Sequence, residues 1–301
     1  LNDPAQHPVV RARRTALNGA ALDGGGAEDA AWAGLMRLDV TLAQGAGGHS
    51  PHRHDTYAVG LTRAGVQAFS YRGIGRHTCV GQAYVLHPDV RHDGRPGTEG
   101  GFGYSTLYVP PALIAACLGG RSLPFLSDPV AAAGPLRDTI WAVLAATGDA
   151  VDPLVSTDVV VMLADALADA AGARPNRSVG AIDGPALARV RALLCETLEA
   201  GITAPDLERV SGLDRWTLYR QFRAVHGVSP GRYRTARRLD AVRAAIRAGA
   251  GLADAAAQAG FSDQSHMTRQ FRAAYGLAPG QWRALADTES SGTLDGGAHG
   301  S

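Results

Sequence analysis

Arg220–Arg234 reads RQFRAVHGVSPGRYR, and Arg269–Arg283, 49 residues further on, reads RQFRAAYGLAPGQWR. Nine of the fifteen aligned positions are identical, a self-match dense enough to mark one small unit used twice. Ahead of each copy stand a glycine and an acidic residue, Gly212 with Asp214 and Gly260 with Asp263. Helix, glycine turn and capped helix make the sequence form of a helix-turn-helix, the unit whose second helix enters the major groove of DNA.

Working outward, Pro185 suits the first position of a leading helix with Leu187, Val190, Leu194 and Leu198 as its inward stripe. Ala204–Ser211 forms the first supporting helix, and Gly212 permits the tight turn that ends it. Asp214 caps Arg215–His226, where Leu218 and Phe222 anchor the helix and Arg215, Trp216, Tyr219, Arg220 and Arg223 point elsewhere. A long helix over about Pro230–Ala248 joins the units, with Tyr233, Leu239, Val242 and Ile246 inward. The second unit repeats the design: Leu252–Ala259, the turn at Gly260, the cap at Asp263 and the reading helix Gln264–Tyr275. There Met267 and Phe271 face inward and leave Gln264, Ser265, His266, Thr268 and Arg269 available. Arginine can bond guanine through two hydrogen bonds, Gln and Ser can bond base edges or phosphates, and aromatic rings can pack on thymine methyls and sugars.

Charge follows the same division. All 29 basic residues are arginine, so arginine abundance alone carries no functional meaning, but its distribution does. From Leu187 to Leu285 there are 15 Arg against 8 Asp and Glu, a balance of +7, and the remainder holds 14 against 20, a balance of −6. A basic third beside an acidic remainder suits a nucleic-acid module joined to one that does not bind nucleic acid. Cys79, Cys117 and Cys195 are widely separated, with neither a CxxC pair nor a disulfide framework, and read as free thiols in a reducing compartment. At 301 residues the chain holds two domains. It contains no run long enough for a membrane span and no signal pattern at its start, so a cytoplasmic location is expected.

The region before the repeat reads differently. Gly24, Gly25 and Gly26 mark a flexible segment, and from about residue 30 to Pro110 the pattern is β. Leu35–Leu42, Tyr57–Thr62 and Val66–Tyr71 alternate apolar with polar residues between glycine turns, as in a small barrel or jelly roll. Pro135–Ala146 and Asp152–Ala171 carry apolar residues at helical spacing, and residues 173–184 have a linker's composition. Two passages hold imidazoles: PHRHDTY with His52, His54 and Tyr57, and GQAYVLHPDVRH (Gly81–His92) ending at His92. Imidazoles two apart on a strand share a face. Tyr57, Tyr71, Tyr84 and Trp32 are candidates for lining a barrel interior.

Gly260–Arg283 resembles the signature of the AraC/XylS family of bacterial transcription regulators, and the resemblance extends over about 100 residues. It implies two helix-turn-helix units on a stiff central helix entering successive major-groove segments. Arg215, Trp216, Tyr219 and Arg220 would then contact DNA from the first unit, and Gln264, Ser265, His266, Thr268 and Arg269 from the second. The HxH pair followed by PxxxH resembles the cupin barrel, where imidazoles and a carboxylate can hold a metal, but Asp55, Ala58 and Val59 stand where cupin enzymes place a glutamate.

The expected architecture is therefore two-domain: an N-terminal all-β cupin-like barrel with flanking helices and a C-terminal all-α double helix-turn-helix. Residues 1–172 form a sensing and dimerisation domain (barrel about 30–110, helices about 111–172), 173–184 a linker, 185–286 the DNA-binding domain, and 287–301 a disordered tail. The expected function is non-enzymatic: sequence-specific binding of double-stranded DNA, modulated by a small-molecule effector in the barrel at His52, His54, Tyr57 and His92. No cofactor and no metal are expected. The family further implies a homodimer, activation of transcription with RNA polymerase as partner, no membrane association, and a place in the cytoplasm at the bacterial nucleoid. Two alternatives stay open: a metal-dependent cupin enzyme tethered to DNA, and a barrel that serves only for dimerisation.

Overall fold

A computed structural model describes residues 9–16, 35–42, 48–147, 153–172, 181–199 and 201–284. Trp32, the Gly24–Gly26 segment, residues 173–180 of the expected linker and the expected tail lie outside the described residues. The chain divides into two compact units between Gly180 and Ala181.

The first unit is a cupin-like barrel. Its strands are β1 (Val9–Ala16), β2 (Met36–Leu42), β3 (His49–His52), β4 (Tyr57–Tyr71), β5 (Ile74–Cys79), β6 (Ala83–Leu86), β7 (His92–Pro96), β8 (Phe102–Val109) and β9 (Val130–Ala131). They run in the order β1-β2-β8-β4-β6-β9, while β4 also pairs β5 and β7, and β7 pairs β3. Every pairing is antiparallel. The sequence pattern predicts two strands across Tyr57–Tyr71, yet β4 runs unbroken for 15 residues. What looked like a break is a bulge: register against β8 shifts between Thr62 and Ala64, and Gly65 takes φ +62 with the Gly101 carbonyl where a Cβ would stand. The strand thereby passes from one sheet into the other.

Side chains alternate between two environments. Val40, Leu42, Ala58, Phe69, Tyr71, Tyr84, Leu86, Phe102 and Tyr104 meet inside the barrel. Tyr84 lies across Gly60, where a Cβ would fall 2.2 Å from the ring, and its hydroxyl meets Thr106 Oγ1 at 2.5 Å. On the other face, Arg37 reaches the end of a helix, donating to the carbonyls of Leu144 and Thr147 (the latter at 2.8 Å) and pairing with Asp39 at 2.7 Å. The helices on this side are α1 (Pro111–Cys117), α2 (Pro135–Ala146) and α3 (Pro153–Ala170). Ile140, Val143 and Leu144 bury one stripe of α2, which lies against the sheet, and Leu154, Val159, Leu163 and Leu167 bury that of α3. Arg37 thus supplies donors to carbonyls that the last turn of α2 leaves unpaired.

The second unit is all helical: α4 (Gly184–Glu196), α5 (Ala204–Ser211), α6 (Arg215–His226), α7 (Pro230–Arg247), α8 (Leu252–Gln258) and α9 (Gln264–Tyr275). Thr203 and Asp206 close a capping box on α5, and Gly212 ends it at φ +75. Around α7, α8 and α9 the core is Leu239, Val242, Ile246, Ala255, Ala256, Ala259, Phe261, Met267 and Phe271.

Candidate nucleic-acid interface and histidine site

The first reading helix, α6, begins where Asp214 accepts the backbone N–H groups of Trp216 and Thr217, both at 3.1 Å. Partial burial pushes its carboxylate up, but the Thr217 hydroxyl, these two backbone N–H groups and the Arg220 guanidinium hold it below the ordinary range. Glu208 on α5 accepts from the backbone N–H of Arg215 at 2.9 Å and from its guanidinium at 3.3 Å, so the supporting helix fixes the start of the reading helix. Arg215, Trp216 and Arg220 are half-buried and Arg223 is exposed.

Tyr219 is a correction. It was expected to face DNA, but it is 1% exposed and sits in the core beside Leu218 and Phe222. The inward face of α6 is wider than a stripe of two anchors because α4, α5 and α7 all pack against it. Gln221 is buried too, donating to the Ala181 carbonyl at 2.8 Å and accepting from Asp183 N–H at 3.0 Å.

The second reading helix, α9, has the same start: Asp263 accepts the His266 backbone N–H at 2.6 Å, the main cause of its lowered carboxylate pKa. Gln264, Ser265 and Arg269 are exposed, while Thr268 is half-buried. His266 is half-buried, with Nδ1 at 3.1 Å from Ser262 Oγ and its ring edge-on to Phe261.

Several arginines of the basic third face the protein itself. Arg234, 1% exposed, donates to the carbonyls of Thr197 and Leu198 at 3.3 and 3.2 Å. Arg238 donates to Leu198 at 2.9 Å. Arg283, which aligns with Arg234 in the repeat, donates to the Ala250 carbonyl at 2.5 Å. In each copy the last arginine of the repeated stretch binds backbone that follows a helix, α4 in one case and α7 in the other.

In the barrel, the antiparallel register sets His52 opposite His92 and His49 opposite Gly94. Ring centroids of His52 and His92 lie 4.5 Å apart, those of His54 and His92 4.8 Å, and those of His52 and His54 6.3 Å. The three predicted imidazoles are therefore gathered. Each Nδ1 meets a backbone carbonyl: His52 on Ser50 at 2.8 Å, His54 on Thr56 at 2.7 Å and His92 on Val90 at 2.8 Å. Burial lowers the His54 pKa and pushes that of His92 to about 4, so both rings are neutral. His52 is exposed, His54 half-buried and His92 buried. Among the described residues no group of three or more His, Cys, Asp or Glu is arranged to hold a metal ion.

Tyr57 does not join them, which corrects its expected role. Its strand neighbour Ala58 faces the interior, so Tyr57 faces the other way, with its hydroxyl donating to the Pro124 carbonyl at 2.8 Å. Tyr71 and Tyr84 do lie in the interior. Residues that the sequence left unassigned complete the site. His49 meets the Tyr104 hydroxyl through Nε2 at 3.0 Å, and Tyr108 stands edge-on to His54 at 5.4 Å. His49 stands three residues before His52, so the spacing of two that singled out His52 and His54 passed it over. His87 accepts the Leu126 N–H at Nε2 (3.0 Å) and donates from Nδ1 to the Tyr71 hydroxyl at 2.6 Å, tying the segment after α1 to the barrel.

Comparison with known proteins bears on both units. Residues 42–157 match the family of AraC-like ligand binding domains, and residues 207–285 match a helix-turn-helix domain family. The chain thus joins an AraC-like ligand binding domain to a helix-turn-helix domain. A curated relative, the uncharacterized HTH-type transcriptional regulator YbfI of Bacillus subtilis (strain 168), is 35% identical over 79 residues. That match takes in 25% of this chain and only 29% of the relative. Among solved structures, ToxT from Vibrio cholerae is 11% identical over 83% of this chain and 98% of its own, with a TM-score of 0.36. The DNA-binding domain of AdpA, solved with a target DNA, is 23% identical over 34% of this chain and 94% of its own, with a TM-score of 0.33. Both superpose only distantly. The regulator thus has a ligand-binding domain and a DNA-binding domain, and no helix among its described residues is long and apolar enough to cross a membrane.

Proposed function

We propose that this regulator reads operator DNA with α6 and α9 and that a small-molecule effector at the mouth of the barrel modulates the reading. The observation that carries the proposal is the matched pair of helix-turn-helix units. In both, an aspartate caps the reading helix, a left-handed glycine precedes it, and polar or cationic side chains lie on its outer part. Arg215, Trp216 and Arg220 contact DNA from the first unit. Gln264, Ser265, His266, Thr268 and Arg269 do so from the second. Tyr219 is removed from the set because it is buried. The effector site consists of His52, His54 and His92 with the neighbouring tyrosines.

The regulator acts as a homodimer in the cytoplasm and activates transcription with RNA polymerase as its partner. Dimerisation multiplies the reading helices on paired half-sites and raises effective affinity. An effector changes DNA engagement only if it binds one state of the regulator better than the other. Selection of duplexes from a random pool with the full-length chain tests the DNA half: a defined bipartite sequence is expected. Recovery of no preferred sequence contradicts it.

A further inference from the structure

The mouth of the barrel offers electron pairs rather than protons. A backbone carbonyl only accepts, so the Nδ1 contacts of His54 and His92 fix the proton on Nδ1 in both rings. In a neutral imidazole so fixed, Nε2 is an acceptor with no proton to give. His54 Nε2 is buried without a hydrogen-bond partner, and so is the amide oxygen of Gln67, a residue only 6% exposed. Gln67 belongs to the same surface. A Cβ on Gly94 would approach both His49 Cδ2 (3.5 Å) and Gln67 Nε2 (3.9 Å), and Gly94 shares a strand face with His92. Both unsatisfied atoms are acceptors, and each costs free energy until a donor reaches it.

The surrounding charge points the same way. Asp55 is the carboxylate acting on His54, whereas Asp93 beside His92 lies on the other strand face and is paired with Arg95 at 3.4 Å. An anion would meet lone pairs and the Asp55 carboxylate. Half-buried Leu38, Val90 and Tyr108 pack beside the interior cluster and supply an apolar shelf.

We infer that the effector carries at least two hydrogen-bond donors on an apolar body, either vicinal hydroxyls or a protonated amine, and that carboxylates and phosphates are rejected. This rests on the effector reading above and specifies its chemistry. His54 Nε2, His92 Nε2 and the Gln67 amide oxygen accept from the ligand, while Asp55 favours a positive or neutral head.

Three probes on one ring separate the possibilities: cis-1,2-cyclohexanediol, cyclohexylammonium and cyclohexanecarboxylate, each titrated into the full-length chain carrying 15N-labelled histidine. Imidazole nitrogen shifts report tautomer and contact together. The unliganded spectrum is expected to show His54 and His92 protonated at Nδ1 only; protonation at Nε2 overturns the inference. The diol or the ammonium is expected to shift both Nε2 resonances, and which of the two does so identifies the donor. The Gln67→Leu variant is expected to weaken that probe about tenfold while circular dichroism stays unchanged. His54→Phe serves as the second variant if Gln67→Leu does not fold. A response to carboxylate alone overturns the ligand class and leaves the effector reading standing. Silence from all three probes overturns both. Equal responses to all three, indifferent to either variant, also overturn the inference, because only the apolar ring is then being bound.

Discussion

Tyr219 and Arg220 are neighbours in sequence and part in space. The first is buried in the core of the unit and the second is half-buried on α6. Tyr219→Ala is therefore expected to cost about 3–5 kcal/mol of stability in urea titration. Tyr219→Phe should keep full affinity for a selected operator; a loss of binding at unchanged stability would show that the hydroxyl does reach DNA. Arg220→Ala or Arg269→Ala should weaken specific binding by about 1–3 kcal/mol and relax base choice at one position each, as read by fluorescence anisotropy on operator variants. Buried histidines give the fold a pH dependence of definite sign. His87 and His92 both titrate near 4 when folded, against an ordinary value near 6.5 once exposed. Between those values the unfolded chain binds more protons. Stability is whole above the higher value and falls as pH drops toward the lower, by about 1.4 kcal/mol per pH unit for each ring. A urea midpoint equal at neutral and mildly acidic pH would contradict this.

Among the elements, the helices were the most legible. The spacing of Asp214, Gly212, Asp263 and Gly260 predicts α5, α6 and α9 to the residue, because caps and left-handed glycines are local devices written in local sequence. β4 was less legible: Gly65 reads as a strand end, and only the partner strand reveals a bulge. Facing was harder still, since the width of the buried face of α6 and the reversal of Tyr57 depend on elements distant in sequence. The two glycine turns also differ in a way the repeat conceals. Gly212 and Gly260 share nearly the same φ, +75 and +77, yet nothing lies within 4 Å of a Cβ on the first, while the Leu198 carbonyl stands 2.3 Å from one on the second. That carbonyl also accepts from Arg234 and Arg238, so the turn before α9 is seated on the chain just after α4. Gly212→Ala should cost about 1–2 kcal/mol from backbone strain alone. Gly260→Ala should cost clearly more in thermal unfolding, and equal losses would show that the seat on Leu198 is absent in solution.

For the whole chain, the division of charge is real, but the total overstates what DNA can meet. Arg234, Arg238 and Arg283 give guanidinium hydrogens to backbone carbonyls, whereas Arg223 and Arg269 are exposed. Operator affinity should fall steeply with salt as bound phosphates release counterions. Arg223→Ala should flatten the log–log slope by about 1, while Arg234→Met lowers stability and leaves the slope unchanged. Sequence shows how many cations there are, and only packing shows which of them are already engaged. The long strand β4 has a consequence of its own for such a molecule. One end, at Tyr71, is paired to His92, and the other, at Tyr57–Leu61, runs beneath the helical layer of α2. A molecule that tightens the rim therefore pulls on the same continuous backbone that supports the helices, through the bulge at Gly65. Amide exchange at Val59 and Leu61 is where occupancy of the rim would first be felt at a distance.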